Sequence, residues 1–181
     1  MTEREILRLA KEAGIDKAAI VDAEDLVFEY EFRKYCEMNT CGNFGKNYGC
    51  PPDCGTPEQM EEKACAYGKA LVLQTIQPVE DIADGQETSS LKKKHNAVVR
   101  GFMDQLAEMG VGGLPIMAGP CSQCSACAKA VGEPCRFPNR IASCLSAYGI
   151  NVVKLCETSN IPWDYGEHNI GFFAIYMMGE K

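Results

Sequence analysis

Thr88-Ser-Ser-Leu-Lys-Lys-Lys-His-Asn-Ala-Val-Val-Arg-Gly-Phe-Met-Asp-Gln-Leu-Ala-Glu-Met-Gly-Val-Gly-Gly-Leu-Pro-Ile-Met-Ala118 reads as a helix, a stop and a strand. Leu91, Val98, Phe102, Leu106 and Met109 recur at the spacing of one helical face, and the opposite face is charged. Thr88, Ser89 or Ser90 is available as N-cap. Met109-Gly110-Val111 ends the helix, because glycine takes the left-handed conformation and the apolar residue after it packs back on the last turn. The spacing predicts a helix over 88–109 and a strand over 114–118. His95 and the run Lys92-Lys93-Lys94 fall on the solvated face.

The same punctuation occurs at Ala13-Gly14-Ile15 and Tyr148-Gly149-Ile150. It predicts helices over 3–13 and 139–148, followed by strands near 17–22 and 151–155. Two further apolar runs, Ala70–Ile76 and Gly171–Met178, read as strands. Helix and strand alternate, so the fold class is α/β or α+β, with helices packed on a single sheet. We expect residues 1–181 to form a single metal-binding domain, with cysteine-rich loops inserted at about 36–65 and 119–137. Loops of that length inside a compact domain need a reason to be ordered.

Composition narrows the function. The 18 Lys and Arg against 25 Asp and Glu give a formal net charge of −7, which repels a polyanion, so no nucleic-acid partner is expected. No run approaches the roughly 18 apolar residues that cross a membrane. Met1–Leu7 enters a charged amphipathic pattern instead of a signal peptide, which predicts a cytoplasmic protein. There are 11 cysteines and 2 histidines. In a reducing compartment an odd number of closely spaced thiols is not a disulfide framework, and thiolates at such spacing need a cation or cluster between them. The scarcity of histidine leaves a hydrolytic zinc site poorly supplied. His168, beside Trp163, reads as an ordinary loop residue.

The thiols form two groups. Cys121, Cys124 and Cys127, followed by Cys135, give C-x2-C-x2-C-x7-C, the ferredoxin spacing with a distant fourth ligand. Arg136 and Arg140 either offset cluster charge or pair with acidic surface groups. The earlier group is Cys36, Cys41, Cys50 and Cys54, in a turn-rich loop containing Cys50-Pro51-Pro52-Asp53-Cys54-Gly55. Its spacing leaves a cluster and a structural zinc both open. Cys65, Cys144 and Cys156 fall on predicted helix or strand and read as small core residues. No phosphate loop, dinucleotide fingerprint or nucleophile elbow is present.

The stretch Cys36–Gly55, with Cys41-Gly-Asn-Phe-Gly-Lys46 and Cys50-Pro-Pro52, together with Gly119-Pro-Cys121 and Pro134-Cys-Arg-Phe-Pro138, resembles the domain-of-unknown-function family 2284. That family is described as predicted metal-binding proteins of prokaryotes, many of them anaerobes. The resemblance implies that Cys36, Cys41, Cys50, Cys121, Cys124, Cys127 and Cys135 match the family's cysteines. Family members often carry another residue at Cys54, which implies three thiolates and an open iron as the alternative to a four-thiolate first site.

Three functions follow as expectations. The first is an iron–sulfur protein with one or two 4Fe-4S clusters, serving electron transfer or a redox partner enzyme. The second is an enzyme with an open-iron substrate site at Cys36, Cys41 and Cys50. The third is a zinc-stabilised interaction module.

Overall fold

All three glycine stops close as the sequence predicts. Gly14, Gly110 and Gly149 have φ of 84°, 86° and 74°. The next residue donates its N–H to a carbonyl five positions back: Ile15 to Ala10, Val111 to Leu106 and Ile150 to Leu145, at 3.1, 2.8 and 3.0 Å. The computed structural model describes residues 1–180.

The elements run α1 (Glu3–Glu12), β1 (Lys17–Asp22), α2 (Arg33–Glu37), α3 (Pro57–Cys65), β2 (Tyr67–Pro78), α4 (Gly85–Glu108), β3 (Gly113–Met117), β4 (Ser143–Cys144), α5 (Leu145–Tyr148), α6 (Val152–Ser159) and β5 (Asn169–Glu180). The five strands form one mixed sheet in the order β1-β2-β5-β3-β4. All neighbours are antiparallel except β3 and β4, which run parallel with Met117 opposite Cys144. Helices cover both faces, so the fold is α+β with a sheet between two helical layers.

Alternation along the strands divides the core. Ala70, Val72, Ile175 and Met177 face Met60, Tyr148 and Leu155 from α3, α5 and α6. Leu71, Leu73, Ala174 and Tyr176 face Ile6 and Ala10 of α1 and Phe102, Met103 and Leu106 of α4. Strands buried on both sides lose the polar alternation of a half-exposed strand, which is why β2 and β5 read as continuous apolar runs.

Several local expectations are overturned. Residues 151–155 are not a strand: Asn151 accepts the Lys154 N–H at 3.0 Å and caps α6, which buries Leu155 and Cys156. The Val152-Val153 pair favours a strand locally, but the packing of Leu155 and Cys156 decides for a helix. Residues 139–148 are not one helix, because the chain leaves the short turn at Pro138–Arg140 extended at Ile141, and Ser143 and Cys144 pair with β3. Asp84, not Thr88, Ser89 or Ser90, caps α4, accepting from Gln86 and Glu87 N–H groups. Met109 lies past the end of that helix and is half exposed.

His95 is also corrected. It is fully buried, its Nδ1 pairs with the Thr75 hydroxyl at 2.9 Å, and its ring lies against Phe172. Burial lowers its pKa from the usual 6.5 to about 4. The folded protein therefore binds the proton less well than the unfolded chain. His95 contributes stability above pH 6.5 that is lost as pH falls toward 4, by up to ~3 kcal/mol. Urea midpoints between pH 7.5 and 4.5 should fall more steeply for wild type than for His95→Gln.

Candidate metal centre

Both cysteine loops meet at the carboxyl ends of the parallel pair β3 and β4. The second loop leaves β3 directly, and Asn96 of α4 anchors its start: the side chain donates to the Ala118 carbonyl at 2.6 Å and accepts the Ala118 N–H at 3.2 Å. Beyond that anchor the chain turns through Gly119 and Pro120 into Cys121.

Cys121, Cys124, Cys127 and Cys135 line a single pocket, with Asn47 and Tyr48 of the first loop completing its wall. Arg136 donates to the Ala126 carbonyl at 3.1 Å and so ties the distant fourth cysteine's segment to the C-x2-C run. Arg140 forms an ion pair with Asp104 at 2.6 Å and bonds Gln123 at 3.0 Å, so it pairs with an acidic group while also bracing the loop.

The first loop is stitched to the second. The buried Asn47 donates to the Cys121 carbonyl at 2.9 Å and accepts the Gly49 N–H at 2.9 Å. Tyr48 donates its hydroxyl to the Glu133 carbonyl at 2.9 Å, and Lys129 pairs with Asp53 at 2.6 Å. A Cβ on Gly49 would stand 2.5 Å from the Ala142 carbonyl oxygen and 2.8 Å from Cys121 Cβ. Only glycine allows this approach. Gly49→Ala should separate the loops, cost about 1–3 kcal/mol by overpacking and weaken metal retention at both groups, measured by melting temperature and by metal content after gel filtration.

In the first loop, Cys36 sits on α2 and Cys41, Cys50 and Cys54 follow in the turns around the cis Pro51–Pro52 peptide. Cys41 is exposed and Cys50 is buried. Burial, then the nearby sulfurs of Cys144, Cys41, Cys54 and Cys121, push the Cys50 thiol up to about 12. Cys144 packs beside the core as expected, and it also stands next to the first cysteine group. Its side chain hydrogen-bonds Cys36, and backbone N–H groups of Ser146 and Ala147 also bond its sulfur. The bond to Cys36 lowers the pKa of Cys144, while the bond to Cys144, then burial, raise that of Cys36. Sequence reasoning missed Cys144 because β4 is two residues long and carries no pattern of its own. Cys156 is buried in the core as expected, and Cys65 is half-buried at the end of α3.

Arg33 is a second residue that sequence reasoning missed. It is only 8% exposed. One nitrogen approaches Cys54 Sγ at 3.7 Å, both terminal nitrogens bond the Gly55 carbonyl at 3.1 Å, and one reaches the Ala147 carbonyl at 2.8 Å. Among the described residues no carboxylate forms a salt bridge with it. The guanidinium lies instead against the Cys54 thiol, the Met60 thioether and the Gly55 and Ala147 carbonyls.

Among the described residues no three Cys, His, Asp or Glu side chains are gathered to the spacing of one metal ion's ligands. What is gathered is a ring of four thiols about one pocket and a knot of thiols around Cys50. The donors are all sulfur, the set shared by iron–sulfur clusters and structural zinc.

A family model described as "Predicted metal-binding protein (DUF2284)" matches residues 19–178. The chain belongs to this family. In this DUF2284 member the matched span contains both cysteine groups, all five strands except parts of β1 and β5, and Cys144. No match among curated proteins reaches significance. Among solved structures, the DUF2284 chain is similar to the crystal structure of epoxyqueuosine reductase with an epoxyqueuosine-modified tRNA-Tyr stem loop. The identity is 11% and the TM-score 0.41, with 99% of this chain and 46% of that chain covered. The chain thus spans about half the length of that structure.

His168 is exposed, and its carbonyl accepts the Val79 N–H at 3.0 Å. Trp163 stacks on Phe173 while remaining 57% exposed. Neither joins the cysteine groups. Lys93 and Lys94 are exposed, as the solvated reading predicts. Among the described residues no helix is long and apolar enough to cross a membrane.

Proposed function

We propose that this protein carries two 4Fe-4S clusters and serves electron transfer, as a redox accessory to a partner enzyme. The observation that supports it best is that the four cysteines of the ferredoxin-spaced motif line one pocket although Cys135 lies outside the tight C-x2-C-x2-C run. In this reading Cys121, Cys124, Cys127 and Cys135 hold one cluster, and Cys36, Cys41 and Cys50 of the first loop hold the other. When bound, such clusters supply one-electron transfer at potentials set by burial, charge and hydrogen bonds to sulfur.

The chain's own residues have defined tasks. Asn47, Tyr48 and the Lys129–Asp53 pair fix the two loops against each other, which keeps the two centres at a constant separation. Arg33 supplies buried positive charge beside the first group. The net charge of −7 suits a partner with a basic docking patch, and association should slow as salt is raised.

The test is iron, acid-labile sulfide and zinc content, with visible and electron paramagnetic resonance spectra, on protein purified without oxygen. About eight iron and eight sulfide per chain is the expected result. Zinc without sulfide overturns the redox reading and leaves a zinc-stabilised module.

A second reading has one observation behind it. Cys54 is engaged by Arg33, so a first site built only from that loop has three thiolates and an open iron available to a substrate. Substrate-induced change in the spectrum of that cluster would support the enzyme.

A further inference from the structure

Five thiols meet around the first loop. Cys36, Cys54 and Cys144 pack beside the same core cluster, α2 lies against α5, and Cys36 and Cys144 are hydrogen-bonded through their side chains. Cys50 of the same loop lies near these sulfurs and is itself buried. We propose that Cys144 is the fourth thiolate of the first centre, completing a ligand set of Cys36, Cys41, Cys50 and Cys144, and that Cys54 stays outside it. The assignment rests on the iron–sulfur reading only for the kind of metal.

Three features separate Cys144 from Cys54. The Cys144 sulfur accepts backbone N–H groups of Ser146 and Ala147, and N–H bonds to sulfur stabilise a thiolate and tune a bound cluster. Cys54 meets a side chain and not backbone N–H groups: its sulfur is 3.7 Å from the Arg33 guanidinium, which is itself tied to the Gly55 and Ala147 carbonyls, and 3.9 Å from the Gly55 carbonyl. Cys144 is also held by the sheet: it pairs with Met117 in β4 and starts α5, so its position is set by scaffold and not by a loop. A ligand on a regular element is placed more firmly than one on a loop. The set draws three sulfurs from the first loop and one from the end of a strand across 108 positions of chain (36 to 144), so binding ties the loop to the sheet. It also removes the open coordination position that a three-thiolate site would leave.

Anaerobically purified wild type, Cys144→Ser, Cys54→Ser and Cys156→Ala decide the matter by metal and sulfide content and by electron paramagnetic resonance. Cys144→Ser is expected to lose about half of the wild-type iron and sulfide, or to keep the cluster with a changed spectrum from oxygen ligation. Cys54→Ser and Cys156→Ala are expected to keep both content and spectrum. Full iron and an unchanged spectrum in Cys144→Ser overturn the assignment, as does loss confined to Cys54→Ser; both leave the iron–sulfur reading standing. If wild type holds zinc without sulfide, the redox reading fails, and zinc lost from Cys144→Ser but not from Cys54→Ser still supports the ligand set. Wild type with neither metal overturns both. Should Cys144→Ser fail to fold by circular dichroism, alkylation of wild type before and after metal removal replaces it. Cys144 must then gain reactivity together with Cys36, Cys41 and Cys50, and an unchanged rate at Cys144 while those three rise overturns the assignment.

Discussion

Cys124→Ala is expected to lose about half of the iron and sulfide of the wild-type protein and to abolish one of two reduced-cluster signals. Cys124 is the middle thiol of the C-x2-C-x2-C run and lines the pocket with Cys121, Cys127 and Cys135. The loop around it is braced independently of any metal, by Asn47 at Cys121, by Arg136 at Ala126 and by Arg140 at Gln123. Removing one thiol therefore removes a ligand without releasing the loop. The methyl group that replaces it cannot coordinate, so a cluster in this pocket should be lost while the cysteines of the first loop are untouched. Cys156→Ala provides the contrast: Cys156 is buried against Leu155 and the α6 face of the sheet, and its loss should cost about 1 kcal/mol with no change in metal. Full iron in Cys124→Ala would mean that the pocket is not a metal centre.

How much of this could be read from sequence depends on the range of the signal. The three glycine stops were legible because the motif is local: glycine, an apolar residue and a helical run are contiguous, and their hydrogen bonds span five residues. The strands β2 and β5 were legible because both faces are buried. The C-x2-C-x2-C run was legible for the same local reason, and its three cysteines do come together with Cys135 in one pocket.

What was not legible is long-range, with one exception. Cys144 comes beside Cys36 only because a two-residue strand pairs with β3 and leads into α5, which packs on α2, a contact across more than a hundred residues that leaves no periodicity. Arg33 gives no sign in Glu31-Phe-Arg-Lys34 that it will be buried. Val152 and Val153 misled because propensity yields to the burial of Leu155 and Cys156. The exception is α3, folded into the first cysteine segment in the sequence reading. Thr56 and Gln59 form a capping box, with Pro57 at the first helical position, and that signature lies in plain view in Thr56-Pro-Glu-Gln59.

Arg33→Met is expected to lower the melting temperature of the metal-loaded protein by roughly 6–12 °C, from ~3 kcal/mol of lost stability. The side chain links three pieces around the first cysteine group: Cys54 and Gly55 of the loop, Met60 of α3 and Ala147 of α5. Methionine fills similar space but donates nothing, so the Gly55 and Ala147 carbonyls lose their charged partner. The size of the effect should depend on metal. A buried guanidinium is costly unless an opposite charge compensates it, and among the described residues no carboxylate bridges to Arg33. With Cys36 nearby ligating a metal as a thiolate, that cost is offset; with a protonated thiol it is not. Arg33→Met should therefore destabilise loaded protein more than stripped protein and speed chelator-driven metal loss from the first centre alone. Equal destabilisation of both forms would confine Arg33 to its two carbonyl bonds and remove it from the charge balance of the centre. Arg33→Lys separates the two roles, since it keeps the charge but cannot reach both carbonyls with one fork: metal retention should recover more than the melting temperature does.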